Sequence, residues 1–174
     1  AGKEVVLSAY VVIDPMEGPG VATVGPGSLD LDAAGLGERL VAAGRSPIKS
    51  VLAEQRVIAG VGNAYSDEVL HVARLSPFKP ASTLSPQESA ALHAALHEVL
   101  TDALDRSSGV AAAGLKKEKN GGLHVHGRTG EACPVCGDLV RAVSHPAQAF
   151  QDRPPAPPAR TVLDPRVRPR LLTL

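Results

Sequence analysis

Residues 46–78 read SPIKSVLAEQRVIAGVGNAYSDEVLHVARLSPF, and this stretch decides the fold. It predicts two helices joined by a tight turn with glycine on both sides. Ser46 is a favoured N-cap residue, and Pro47 suits the first position of a helix. The run Ala59-Gly60-Val61-Gly62 cannot continue a stable helix, because glycine is costly there and admits left-handed turns. The sequence therefore predicts a helical hairpin.

The second helix of this hairpin is expected to begin with Asn63 as its cap and to stop before Pro77. Asp67 and Glu68 are expected in its early turns, where acids suit the helix dipole. Its opening at Gly62 and Asn63 leaves unpaired N–H groups at a positive helix end, which is how helices bind phosphate. We therefore expect this turn to hold a nucleic-acid backbone. The alternative is a helical hairpin in an enzyme core, with these residues serving only as a turn.

The whole chain divides into four parts. Residues 1–27 contain a strand-like run at 5–13, followed by turns rich in glycine and proline. Residues 28–106 are helical. Residues 107–144 carry a basic loop and a Cys-x-x-Cys hairpin, and residues 145–174 form a Pro/Arg-rich tail that is expected to be disordered or extended. The sequence therefore predicts a mainly α fold with small β parts.

A long helix is predicted after a capping box at Ser85-Pro86-Gln87-Glu88. Apolar residues recur on it every three or four positions and predict a stripe facing the core: Leu92, Leu96, Val99, Ala103 and Leu104. His93 and His97 lie four residues apart on the same helix. Without the acidic partner of an HExxH motif, we expect them to be exposed side chains rather than metal ligands.

Residues 107–144 are predicted to contain a flexible basic loop at 116–122, a strand at 123–126, a turn at 127–130 and a strand at 139–143. Cys133 and Cys136 between them have the spacing of a metal-binding knuckle, which is how a zinc β-hairpin finger begins. A structural zinc site needs four ligands, and the usual second pair follows about 15 to 20 residues later. The chain has only two cysteines. Three alternatives stay open: histidine substitutes at positions 124, 126 and 145, a redox-active pair, or a reduced pair without metal.

The amino-acid composition limits the kinds of partner that the protein can bind. Lys plus Arg equals Asp plus Glu at 18 each, so the net charge is zero, which is unusual for a DNA-binding protein. Basic residues nevertheless cluster late in the chain, at Lys116, Lys117, Lys119, Arg128 and Arg141. Aromatic residues make up 2%, which leaves little for base stacking, so affinity would come from phosphate contacts and fall with salt. No membrane-spanning run and no signal peptide are present in the sequence, so we expect a soluble cytoplasmic protein.

The run at 48–77 resembles the helix–two-turn–helix signature of the formamidopyrimidine-DNA glycosylase and endonuclease VIII family. The similarity continues through 84–104 and 123–144 and covers roughly residues 20 to 144. Members of this family are bifunctional base-excision-repair enzymes, which remove oxidised bases and cut the resulting abasic site. The resemblance implies a DNA glycosylase with abasic-site lyase activity. Its partner would be double-stranded DNA containing oxidised bases or abasic sites, and we expect a monomer associated with the bacterial nucleoid.

The resemblance also implies domains and site residues. Residues 1–27 would be a remnant of an N-terminal β-sandwich, 28–106 the helix–two-turn–helix domain, and 107–144 half of a zinc finger. The residues implied for DNA contact are Asn63, Gly62, Lys49, Arg128 and Arg141. Asn63 matches an asparagine that contacts the phosphate at the lesion, and Lys49 matches a lysine that could neutralise a phosphate. Cys133 and Cys136 would be the zinc ligands.

Two departures from the family pattern bear on activity. The family nucleophile is an N-terminal proline amine followed by a glutamate, whereas this sequence starts Ala1-Gly2-Lys3-Glu4. The positions of the second cysteine pair hold Arg153 and Ala156, so we hypothesise that the tail arose from a reading-frame slip or from decay of the finger. We therefore expect this chain to lack glycosylase activity by itself.

Three hypotheses follow. The chain is the C-terminal part of a repair glycosylase whose catalytic half was lost, truncated or lies upstream. Alternatively, it is a non-catalytic DNA-binding module, or a decayed protein that retains no activity.

Overall fold

Most of the regular secondary structure in the described chain is helical, as the sequence predicts. A computed structural model describes residues 24–145 and 148–152, together with Asp14, Gly18, Val21 and Thr23. The predicted strand at 5–13 lies outside the described residues, and so does the tail beyond residue 152.

The helices in this part of the chain are α1 (Ala33–Ala42), α2 (Ile48–Ala53), α3 (Asn63–Ala73), α4 (Pro86–Ser107) and α5 (Leu115–Gly121), with a short 3₁₀ helix at Ala81–Thr83. They are followed by an antiparallel pair of strands, β1 (Arg141–His145) and β2 (Gln148–Asp152), in which Arg141 pairs with Asp152. None of the described helices is both long enough and apolar enough to cross a bilayer.

The main hydrophobic core lies between the first four helices, with α3 packed along α4. The predicted stripe on α4 is largely confirmed, since Leu92, Leu96 and Ala103 are buried and Val99 packs against the core. Leu104 is the exception, because its side chain is 57% exposed. Successive residues in a helix are turned by about 100°, so Leu104 points away from the face that Ala103 occupies.

The hairpin of α2 and α3 forms where it is predicted, but its helix ends differ. Pro47, with extended backbone angles, is the cap of α2, so the prediction of Ser46 as N-cap is wrong. The reason is that Ser46 and Pro47 are paired with another part of the chain, with Pro47 bridged to Pro80 and the Ser46 carbonyl accepting from the Ala81 N–H at 3.0 Å. Tertiary contacts therefore delay the start of α2.

Both ends of α3 also depart from expectation. Gly62 is its N-cap and Asn63 is its first helical residue, so Asn63 does not cap the helix with its side chain. The helix ends at Ala73, and Arg74 then adopts a left-handed conformation with φ of 57°. Pro77 is therefore not what terminates α3.

The capping box of α4 is confirmed. The Ser85 hydroxyl accepts from the Glu88 N–H at 3.2 Å, and the Glu88 carboxylate accepts from the Ser85 N–H at 2.9 Å. The Lys79 ammonium reaches the same carboxylate at 2.5 Å. The start of the longest described helix is thus fixed by both its own residues and the preceding loop.

The expectation that His93 and His97 are exposed is wrong. Both rings are half-buried, and their Nε2 atoms lie 2.9 Å and 3.4 Å from the carbonyl oxygen of Leu31. Leu31 precedes α1, so these side chains tie α4 to the start of the first helix. Their role in the structure is to supply hydrogen bonds to a backbone carbonyl.

The region after α4 differs most from prediction. Residues 116–122 are not a flexible loop but lie largely in α5, which is held by an ion pair of 3.0 Å between Arg106 and Glu118. The Lys119 ammonium also lies 5.0 Å from the centre of the Tyr65 ring, a cation–π distance. Contacts with α3 and α4 therefore stabilise a helix that the local sequence does not predict.

Residues 123–126 form no strand, whereas the turn at 127–130 is confirmed by left-handed glycines at both of its ends. The strand predicted at 139–143 is observed as β1, shifted towards the C-terminus. β2 lies inside the segment that is predicted to be disordered or extended, and residues 148–152 are extended there and paired with β1. Backbone pairing with β1 accounts for this strand.

Replacing Glu88 should reveal how much the capping box contributes to the free energy of unfolding, because that contribution depends on pH. The hydrogen bond from Lys79, and then that from the Ser85 N–H, lower the pKa of the Glu88 carboxyl from its ordinary value of 4.5. The stabilisation is therefore complete above the unfolded pKa and is lost as the pH falls through the folded pKa. We expect Glu88→Gln to lower the free energy of unfolding by about 0.5–1 kcal/mol at neutral pH, and by less in acid.

Urea unfolding at neutral and acidic pH measures this difference, and Glu38→Gln on α1 is the matched control, because Glu38 is exposed. An equal loss of stability in the two variants at neutral pH would contradict the role of Glu88.

Candidate nucleic-acid interface

The turn between α2 and α3 is held by one amide side chain, that of Gln55. Its Nε2 donates to the Val61 carbonyl at 2.5 Å, and its Oε1 accepts from the Gly60 N–H at 3.0 Å. Gly60 has a φ of 91°, which favours glycine. Sequence reasoning missed Gln55, although a polar residue just before a glycine turn is a recognisable signal for side-chain bonding to the backbone. The side chain fixes the path of the chain into α3.

A second set of bonds pins this turn to the segment that precedes α1. The Gly25 N–H donates to the Gln55 carbonyl at 2.8 Å, and the Ala59 N–H donates to the Pro26 carbonyl at 2.9 Å. A Cβ at Gly25 would lie 2.7 Å from the carbonyl oxygen of Arg56, so a larger residue does not fit there. The backbone of the turn is therefore anchored from two sides.

The N-terminus of α3 is open. Gly62 makes no side-chain cap, and a Cβ placed on it would meet nothing within 4 Å. Asn63 is exposed. The first turn is secured from inside by the Ser66 hydroxyl, which donates to the Asn63 carbonyl at 2.9 Å. Amide N–H groups at a helix start have no partner within the helix, so this end presents donors and positive potential outward.

Lys49 lies in the core and not at the surface. Its side chain is 0% exposed, and its ammonium forms an ion pair with the Asp67 carboxylate on α3. Burial lowers the pKa of the Lys49 ammonium from its ordinary value, and the hydrogen bond with Asp67 opposes that shift. The predicted contact between Lys49 and a DNA phosphate is therefore not supported, because the charge is already used inside the fold.

Asp67 and Glu68 are both buried, and they lie in the second turn of α3, whose first turn holds no acid. The second oxygen of Asp67 lies 2.8 Å from the Nδ1 of His126. The Glu68 carboxylate accepts the backbone N–H groups of His124, Val125 and His126, each at 2.9 Å. These acids join α3 to the chain that follows α5. Sequence reasoning could not find this role, because the partners lie more than 50 residues away.

Arg128 and Arg141 lie in the region beyond α5. Arg128 is half-buried, and its Nε donates to Glu131 at 2.7 Å. Its Nη1 also donates to the Leu123 carbonyl at 3.4 Å. Arg141 is exposed at the start of β1. The structure therefore leaves Arg141 open to solvent, whereas part of the Arg128 guanidinium is engaged with its own turn.

Cys133 and Cys136 differ in their surroundings. Cys133 is 2% exposed, and its Sγ lies 3.3 Å from the Nε2 of His71, a residue that sequence reasoning missed. Cys136 is exposed. Within residues 24–145 and the other described positions, no three His, Cys, Asp or Glu side chains come together as a metal site. Two of the suggested substitutes, His124 and His126, instead face Glu68 and Asp67 at 3.9 Å and 2.8 Å.

The comparisons with known proteins agree with this geometry. Residues 24–113 match the family model described as the formamidopyrimidine-DNA glycosylase H2TH domain. The chain is 48% identical over 157 residues to an uncharacterised formamidopyrimidine-DNA glycosylase-like protein of Mycobacterium tuberculosis, covering 88% of this chain and 97% of that protein. It is 39% identical over 135 residues to the formamidopyrimidine-DNA glycosylase of Moorella thermoacetica, covering 72% of this chain and 48% of that enzyme.

The fold is likewise similar to that of a solved complex between Lactococcus lactis Fpg and DNA containing an abasic site. The TM-score is 0.64 at 30% identity, over 74% of this chain and 49% of that one. The chain thus spans about half the length of these two glycosylases. It belongs to the formamidopyrimidine-DNA glycosylase family and contains that family's H2TH domain.

Proposed function

We propose that this chain holds double-stranded DNA containing oxidised bases or abasic sites, as the DNA-binding part of base-excision repair in the bacterial cytoplasm. The observation that carries the proposal is the open N-terminus of α3, where Gly62 leaves the first amides uncovered beside the exposed Asn63. The L. lactis relative has been solved on a duplex that contains an abasic site, which supports the same class of ligand here.

The proposed contact is with a phosphate. Helix-end amides and an asparagine amide group are donors that suit phosphate oxygens, and such contacts position DNA without reading its sequence. Arg141 and the engaged Arg128 are proposed as further phosphate contacts on the region beyond α5. Lys49 is assigned a structural role in this scheme, since its ammonium pairs with Asp67 in the core.

The glycosylase and abasic-site lyase activities of the family require an amine nucleophile at the sugar and a neighbouring acid. No residue of this sequence matches those groups by motif, so we assign the chain the holding step and not the chemistry. The second candidate function is the glycosylase and abasic-site lyase activity itself, which the name of the M. thermoacetica relative favours.

Borohydride trapping on a duplex with a single abasic site distinguishes the two functions. A covalent protein–DNA adduct would show that an amine of this chain forms the iminium, and would contradict a purely holding role. Binding without an adduct in the same samples is the result expected if the chain holds DNA without carrying out the chemistry. Absence of both binding and adduct would overturn the proposal as a whole.

Asn63→Ala should weaken binding to an abasic duplex by about 1–2 kcal/mol, or roughly 5- to 30-fold in Kd, because it removes a direct phosphate donor. Lys79→Ala is the control, since this lysine is already paired with Glu88. Fluorescence anisotropy of a labelled duplex measures both variants. Equal losses of affinity would show that the turn is not the phosphate site.

Lys49→Met should lower the free energy of unfolding by about 3–5 kcal/mol, since it leaves the Asp67 charge without its buried partner. The slope of log Kd against log salt should stay unchanged in the folded variant, because the ammonium contributes no phosphate contact. Arg141→Gln should instead reduce that slope by about 1.

Circular dichroism gives the folded fraction, and anisotropy at several salt concentrations gives the slope. A slope that falls by as much in Lys49→Met as in Arg141→Gln would assign Lys49 to the DNA.

A further inference from the structure

The segment at 123–140, here called the finger segment, is attached to α3 by a carboxylate. Glu68 is buried, and its two oxygens accept three consecutive backbone N–H groups at 2.9 Å each. Hydrogen bonds to an ionised acceptor are about twice as strong as neutral ones. Val125, in the middle of the three, is fully buried. Glu68 therefore fixes both the position and the backbone conformation at the start of the finger segment.

Asp67 adds a second attachment beside the first. One of its oxygens pairs with the Lys49 ammonium, and the other lies 2.8 Å from the Nδ1 of His126. Both buried carboxylates are thus satisfied by groups from other parts of the chain. This matters because a buried charge is tolerated only when it is paired and hydrogen-bonded.

The remainder of the finger segment is closed by its own contacts. The Gly130 N–H donates to the Val140 carbonyl at 2.8 Å, and the Val140 N–H donates to the Glu131 carbonyl at 2.9 Å. Val125, Cys133 and Val140 form a small buried cluster under this loop. Cys133 thus contributes to the packing of the loop.

The donor set does not fit the zinc ion that the family resemblance implies. The chain has two cysteines, and its described residues bring no three potential ligands together. The Cys133 thiol is buried against His71 at 3.3 Å, while Cys136 lies at the surface. A structural zinc site requires four converging ligands.

We propose that the Glu68 carboxylate holds the finger segment on α3 and fixes its fold, that the Asp67 carboxylate adds a second attachment, and that no zinc ion is needed. In this chain a side chain of α3 stabilises the fold of the segment, as a metal ion does in a zinc finger. The inference is independent of the proposed function, because it concerns the folding of the segment in the absence of DNA.

The decisive substitution is Glu68→Gln, which keeps the size of the side chain. A carboxamide has one acceptor oxygen, and its NH₂ group would face N–H donors that it cannot bind. The docked state should therefore be weakened selectively. Glu98→Gln on α4 is the matched control, since Glu98 is exposed. Cys136→Ser tests the metal directly, because loss of a thiolate would disrupt any zinc site that includes it.

The experiment uses the full chain, produced with added zinc and then analysed for bound metal. The rate of tryptic cleavage after Arg128, which lies within the finger segment, measures how often the segment opens. It is recorded with and without EDTA and in the three variants, while the thermal midpoint is followed by circular dichroism.

We expect less than stoichiometric zinc, no effect of EDTA or of Cys136→Ser, and cleavage about tenfold faster or more in Glu68→Gln than in Glu98→Gln. Stoichiometric zinc together with faster cleavage in EDTA would overturn the proposal. So would equal cleavage rates in the two glutamine variants. If Glu68→Gln does not fold, the EDTA and Cys136→Ser measurements still decide whether the segment folds without zinc.

Discussion

The described fold depends on the burial of two adjacent acids, Asp67 and Glu68, in the middle of α3. Removing a carboxylate from water is costly, so each needs compensating partners in the folded state. Those partners come from α2 through Lys49 and from the segment after α5 through His126 and three backbone amides. Satisfying the two acids therefore requires parts of the chain that are distant in sequence to pack on α3. Hydrophobic packing of α3 on α4 completes the arrangement.

The buried face and the N-terminus of α3 therefore have different roles. The buried face is bonded to the rest of the structure, while the N-terminus at Gly62 and Asn63 is left open. Gln55 and the backbone bonds of Gly25 hold the preceding turn in place. A donor array that is rigid before binding loses little conformational entropy when it meets a phosphate. Stability and the proposed DNA contact thus rest on the same helix.

Local signals in the sequence were sufficient for much of this fold. Glycines predict the turn before α3, the Ser85 capping box predicts the start of α4, and apolar spacing predicts the face that α4 buries. Each of these depends on residues within about one or two helical turns of one another. The resemblance in the same stretch was likewise confirmed by the H2TH match at residues 24–113.

The failures share a different physical cause, which is contact between residues far apart in the chain. Lys49 was assigned to a phosphate by resemblance to the family, whereas in the structure it is buried and pairs with Asp67 on another helix. Residues 123–126 alternate like a strand, but their amides are taken by Glu68. His93 and His97 turn towards a carbonyl before α1. None of these partners is encoded near the residue it binds.

The most direct test of the central role of Glu68 is amide hydrogen exchange in the unmodified chain. If the carboxylate holds the finger segment on α3, the amides of His124, Val125 and His126 are protected to a degree comparable with Leu70 in the core of α3. Exchange of these three amides as fast as at the exposed Gly109 would contradict that role, because a bonded and buried amide must first open before it exchanges.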